Sequence, residues 1–388
     1  MRLKPLAGVR VLDLTRLLPG PMATLHLADL GADVIKIEDT GAGDYGRTLG
    51  PMDGDTSHLF ALVNRNKRSL RLDLKQAAGV ELFLRLACDA DIVLESFRPG
   101  VVDKLGVGYA AVSAINPRVV YCSITGYGQN GPYRDRAGHD INFLGYAGVL
   151  DQIGIANGAP ALPNFQIGDL LGGALSALVA VLAALLDARG TGKGRYIDVA
   201  MADGVLAHAV IPMLAVLAHG RAAPRGDDLL SGGVPCYGIY ATADGRHLAV
   251  GALEPKFWAR LCEITGRADL VPHGLATGAE GARARAELQA VFSRHSLAHW
   301  TEVFDQADCC VTPILRLEES LANEQFRARH MVVNKAGARQ LAPPFHMSDF
   351  DFDTSHPAPA AGEHSDAILR EAGYSAEQIA GLRARQII

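Results

Sequence analysis

The feature that most constrains this chain is an alternation, over its first 130 residues, between short β-type apolar runs and helix-length periodic segments. The runs are Val9–Leu14, Ala32–Glu38, Ser69–Leu74, Asp91–Phe97 and Arg118–Thr125. Segments of helical spacing, Met22–Leu30 and Gln76–Cys88, lie between them. Strands spaced by helices cannot close as hairpins, so they imply βαβ units and a mostly parallel sheet. The expected fold class is therefore α/β. The loop after the first run, TRLLPGPMA, lacks G-x-G-x-x-G, so the expected topology is Rossmann-like without a dinucleotide fingerprint.

At 388 residues the chain exceeds twice a typical domain of about 150 residues, and two domains are expected. Composition shifts near 222–228 (APRGDD), a linker pattern. Beyond it, Cys236–Thr242 and Arg246–Ala252 flank Ala-Asp-Gly, a hairpin signal, and helical stretches follow. The expected division is a large Rossmann-like domain over 1–222, completed by 335–388, and a small α+β domain over 229–330. Ser375, with Gln378 three residues on, reads as the N-cap of a terminal helix.

Acidic residues outnumber basic ones, 42 to 37, which argues against nucleic-acid partners. Six cysteines without a C-x-x-C pair make neither a disulfide framework nor a zinc site, so a reducing, cytoplasmic setting is expected, with no metal. The longest apolar stretch, Leu170–Leu186, is 17 residues and reads as a buried helix rather than a membrane span. The Gly-rich run at 189–195 does not satisfy GxxxxGK[ST] and reads as a helix-to-strand turn.

Five segments could carry chemistry. The stretch 61–75 holds Arg65, Lys67, Arg68, Arg71 and Lys75 against Asp73 alone; it is either a solvated strand edge or a docking patch for a polyanion. Arg98 and Lys104 follow the next strand's carboxyl end, where open α/β sheets bind ligands. His139, within GHDINF, is either structural or an acid/base group. Asp169 opens the long apolar helix, as a cap or as a catalytic carboxylate beside helix-start amides. Glu254 stands just past the hairpin, before Pro255, where a helix acid is ordinary.

Six segments then occur in order: LPGPMATLHLADLGADVIKIE, NRNKRSLRLDLK, ESFRPGVVDKLGVG, TGYGQNGPYRDRAGHDINF, GKGRYIDVAMADG and ADGRHLAVGALEP. Together they resemble the class III (CaiB/BaiF-type) coenzyme A transferase superfamily, nearly end to end. That superfamily divides mainly into acyl-CoA transferases and α-methylacyl-CoA racemases. Asp169 matches the aspartate both branches use, as nucleophile in the transferases. His139 in GHDIN and Glu254 in GALEP resemble the racemase branch, with Glu254 as the partner of the histidine. The transferases' glycine run is reduced here to Gly232-Gly233.

The resemblance implies an isomerase acting on 2-methylacyl-CoA thioesters by two-base proton transfer through an enolate. It needs no cofactor, because coenzyme A belongs to the substrate. The alternative is acyl transfer to a carboxylate through Asp169. Coenzyme A is expected against Leu72, Asp73, Leu74, Lys75, Ser96, Phe97, Arg98 and Lys104. The acyl side is expected near Gly138, Asp140, Ile141, Asn142 and Phe143. Racemases often carry arginine just after the IKIE strand, whereas this chain has Asp39. An interlocked homodimer is also implied.

Overall fold

The computed structural model describes residues 4–335 and 338–388. The first three residues of the chain, and positions 336–337 of the expected domain-completing segment, lie outside the described residues. The chain divides into two compact units. The larger comprises Met1–Ala147, Phe165–His208 and Glu324–Ile388, and the smaller Gly148–Asn164 and Ala209–Asn323. Segments 148–164 and 209–222, expected with the large domain, thus group with the smaller unit. Arg225 explains part of this, because it ion-pairs with Asp151 at 2.7 Å and donates to the Asp151 and Gly158 carbonyls.

The larger unit is built on a six-stranded sheet of β1 (Arg10–Asp13), β2 (Asp33–Glu38), β3 (Arg68–Arg71), β4 (Ile92–Glu95), β5 (Val120–Thr125) and β6 (Arg195–Ala200). Its spatial order is β3-β2-β1-β4-β5-β6, and every pairing is parallel. The order reverses between β1 and β4, and such a switch point opens a crevice at the strands' carboxyl ends. Each expected β run and helix of the first 130 residues is present within a few residues of its expected bounds. The strands read as continuous apolar runs because both faces are covered. One face packs on the helix Pro19–Asp29 and the long apolar helix, the other on the helix Ala77–Ala87 and the C-terminal helices. Ser375 and Gln378 form the expected capping box.

The long apolar helix begins as a π-helical segment, Gly168–Leu175, and continues as an α-helix, Ser176–Thr191. Its 24 residues are long and apolar enough to cross a membrane by length and composition. The expected burial holds on one face only. Ala177, Val181, Ala184, Leu185 and Ala188 are buried, whereas Val179 and Leu186 are 69% and 75% exposed. Gly192, at φ +72°, ends the helix in the Gly-rich turn.

The smaller unit carries the expected hairpin, Tyr237–Ala241 with His247–Gly251, extended by the antiparallel strand Val311–Pro313. Helices including Pro255–Ile264 and Gly278–Phe292 pack around Trp258, Phe292 and Trp300. Cys122, Cys236, Cys262 and Cys309 are buried, and all six cysteines are free.

Candidate active site

Four of the five cations in the basic segment 61–75 are engaged by the protein's own carboxylates and carbonyls. Arg65 is buried and clasps Asp29 through Nε and Nη2, at 3.0 and 2.6 Å. Lys67 donates to Asp13, Thr24, Asn64 and the Pro21 carbonyl. Arg68 bridges Asp33 and Glu371, and Arg71 donates to the Thr40 and Gly41 carbonyls. These cations close the ends of β1 and β2 from within, because a buried charge persists only where it is paired. Lys75 alone of the five stands exposed without such a partner at its own carboxyl neighbour, Asp73, which instead accepts the Lys75 amide and the Gln76 side chain.

A cavity of about 580 Å3 opens at the carboxyl ends of β1, β4 and β5. It brings together Ser96, Phe97, Arg98, Gly138, His139, Phe143 and Asp169 from the expected residues. Leu72 is instead core, at 1% exposure, and the Asp73 amide is held by the Ile387 carbonyl. Neither they, Leu74 and Lys75, nor the exposed Lys104 line this cavity. Glu254 belongs to the smaller unit, where it precedes the helix Pro255–Ile264 without capping it through its side chain.

The GHDIN segment has a local physical logic. The His139 amide, rather than its ring, makes the helix-start bond, donating to Asn142 Oδ1 at 3.0 Å. A Cβ on Gly138 would meet the Phe143 ring at 2.8 Å and the Tyr127 hydroxyl at 2.9 Å, so only glycine lets the loop close over them. Tyr127 packs edge-on against Phe143, Tyr133 and Tyr146, a cluster that backs the His139 loop. Asp140 Oδ1 accepts the Asp169 amide at 3.0 Å, which ties the histidine segment to the aspartate segment. Ile141, 42% exposed, does not face the cavity.

Asp169 is not an N-cap. It lies one residue inside the π-helical segment, whose backbone is already helical at Ile167, and it makes no capping bond. Burial, reinforced by the charge of Asp140, raises its carboxyl from the ordinary 3.8 to about 7. The expected helix-start amides are in use: that of Asp169 by Asp140, that of Leu170 by the Gln166 carbonyl.

Sequence reasoning missed Arg16, Tyr45, Arg134 and Arg136, which also line the cavity. Arg16 ion-pairs with Asp39 at 2.9 Å, and its guanidinium lies 5.2 Å from the centroids of Tyr45 and Phe97. The signal available was position, since Arg16 lies three residues beyond the end of β1 at the switch point. A second cavity, about 1010 Å3, lies within the smaller unit, lined by Gly232, Gly233, Tyr237, Arg285 and Cys310; it contains neither His139 nor Asp169. Among the described residues, no three His, Cys, Asp or Glu side chains gather as a metal site requires.

The chain is similar in sequence to several named proteins. It is 35% identical to a human protein named alpha-methylacyl-CoA racemase, over 99% of this chain and 97% of that one. The mouse racemase is 34% identical over the same shares. Human succinyl-CoA:glutarate CoA-transferase is also 34% identical, over 95% of this chain and 86% of its own. The crystal structure of a CAIB/BAIF family protein from Brucella suis superposes with a TM-score of 0.85 at 31% identity, covering 96% of this chain and all of that one. The model of CoA-transferase family III matches residues 6–365. With cavity, sheet and sequence in agreement, the chain is a member of CoA-transferase family III.

Proposed function

We propose that the chain is an α-methylacyl-CoA racemase, inverting the α-carbon of 2-methylacyl-CoA thioesters through an enolate. The observation that carries this reading is one cavity shared by His139 and Asp169, with the Asp169 carboxyl held near pH 7. Inversion removes a proton on one face of the α-carbon and returns one on the other, so two groups must each alternate between acid and base. Such a group works best with its pKa near the working pH. A carboxyl at about 7 meets that condition. The thioester carbonyl is the electron sink, so the chemistry calls for no cofactor. Glu254 enters the proposal as the imidazole's partner, and Arg98 as a phosphate contact. A Rossmann-like large domain, an interlocked homodimer and a cytoplasmic setting belong to the same proposal.

The second reading, acyl transfer with Asp169 as nucleophile, draws support from the transferase relatives. A nucleophilic carboxylate must be ionised, and the raised pKa of Asp169 works against that at neutral pH. The two reactions separate in deuterated water without any acceptor acid. A racemase washes deuterium into the α position of a 2-methylacyl-CoA, whereas a transferase needs the second acid. His139→Ala and Asp169→Asn should each lose about 10²–10⁴-fold in racemisation, with residual exchange confined to one enantiomer. Absence of α-exchange in the wild-type protein would rule out the proposal.

A further inference from the structure

We propose that Ser176 is a positioning residue for Asp169: its hydroxyl holds the widened helical turn that aims the Asp169 carboxyl into the cavity shared with His139. Ser176 Oγ donates to the Leu171 carbonyl, five residues back, at 2.8 Å. The Ser176 amide is shared between the Leu171 and Gly173 carbonyls. An α-helical turn would close over four residues. A turn closed over five holds one residue more, and each residue is about 100° of helix. Asp169 stands two positions before Leu171, within the π-helical segment. It is therefore aimed about 100° from where an unbroken α-helix running back from Ser176–Thr191 would set it. Turned back by that angle, the carboxyl would leave the cavity that it lines.

Such a turn has to be held, because π-helical geometry is rare and the leucines and alanines around it favour the α-helix. Glycines supply the room for it. Gly172 lies against the Met201 carbonyl, and a Cβ on Gly204, in the helix Met201–Ala207, would stand 2.6 Å from Gly172 Cα. A Cβ on Gly173 would meet Pro19 at 2.8 Å, and Pro19 and Met201 both line the cavity. At its start the segment is fastened by Asp140 Oδ1, which accepts the Asp169 amide. Among these holds, the Ser176 hydroxyl is the side-chain bond that selects the length of the turn. Ser176 lines neither the His139–Asp169 cavity nor that of the smaller unit, so it acts on the chemistry through Asp169. The proposal rests on the catalytic role of Asp169, which racemisation and transfer share.

The test compares Ser176→Ala with Ser176→Thr in the full chain. Alanine is the best helix former, so the fold is kept while the bond that selects the turn is lost. Ser176→Ala should lower kcat for α-exchange of a 2-methylacyl-CoA about tenfold with KM unchanged. Threonine keeps the hydroxyl and should restore the rate. A merely structural serine would change Tm without that split. A second readout needs no activity: carbon-13 carboxyl NMR, in which the Asp169 signal is the one that Asp169→Asn removes. Burial and the facing charge of Asp140 hold the Asp169 carboxyl at about 7. Swung out of that setting, it should titrate lower in Ser176→Ala and at the wild-type midpoint in Ser176→Thr. An Asp169 midpoint unmoved in Ser176→Ala overturns the proposal, as does an unchanged kcat. If the wild-type protein shows neither α-exchange nor transfer, the catalytic reading falls, and the carboxyl titration still decides whether Ser176 places Asp169.

Discussion

Replacing Asp169 by asparagine should remove activity and at the same time stabilise the protein. The unfolded chain ionises this carboxyl near 3.8, the folded protein only near 7. Between those values the folded state binds more protons than the unfolded one, so stability falls as pH rises from about 4 to 7 and then levels off. A gap of about 3 units at 1.36 kcal/mol each sets a ceiling near 4 kcal/mol. Asp169 is only partly buried and lines an open cavity, and water access reduces the figure to about 2 kcal/mol. Asparagine fills the same volume without that cost and leaves its amide free to donate to Asp140. Scanning calorimetry of the two proteins at pH 4 and pH 7 checks the reasoning. The larger unit of Asp169→Asn should melt a few degrees above wild type at pH 7, and the two should coincide at pH 4. A variant that melts lower at pH 7, or by a margin independent of pH, would refute the claim that this site holds a destabilising acid.

Arg98 and Arg65 make a paired test of which cations meet substrate. Arg98→Ala should raise KM for a 2-methylacyl-CoA about tenfold with Tm unchanged, whereas Arg65→Ala, which strands Asp29, should cost about 3–5 kcal/mol of stability and leave KM of the folded protein alone; exchange of those two outcomes would reverse the assignment. For assembly, the helix Val210–His219 buries none of its residues, with Leu214 and Leu217 57% and 78% exposed, so light scattering should give about twice 41.1 kDa. A monodisperse, active 41.1 kDa species would contradict the dimer.

Period and punctuation in the sequence were enough to place the parallel sheet, the hairpin and the terminal capping box, because each rests on local rules. The third strand of the smaller sheet, Val311–Pro313, was not legible, since three residues carry no period and their pairing with Leu248–Val250 is remote. Composition likewise hid where the smaller unit begins. The linker pattern at 222–228 is held down by Arg225, and the chain changes unit at His208–Ala209, where no Gly or Pro cluster marks it. His139 and Asp169 were legible as individuals. What joins them, the Asp140 carboxyl on the Asp169 amide, is a contact across 29 positions that spacing cannot disclose.

The basic stretch 61–75 shows why local charge alone does not identify a ligand site. A run of cations in a net acidic chain looks like a phosphate cradle, yet Arg65 and Lys67 are 2% and 3% exposed and spend their donors on the protein's own carboxylates and carbonyls. The distinction lies in what the neighbouring elements supply. Asp13 ends β1 and Asp29 ends the helix after it, so both carboxylates stand where β3 begins, and a cation entering there is captured before any ligand can compete. The cations that line the cavity follow a different rule. Arg16 and Arg98 each lie just beyond the last residue of a strand at the switch point, past the reach of the core carboxylates. In an α/β sheet of this order, position relative to the strand end therefore assigns a cation's role better than local charge density does.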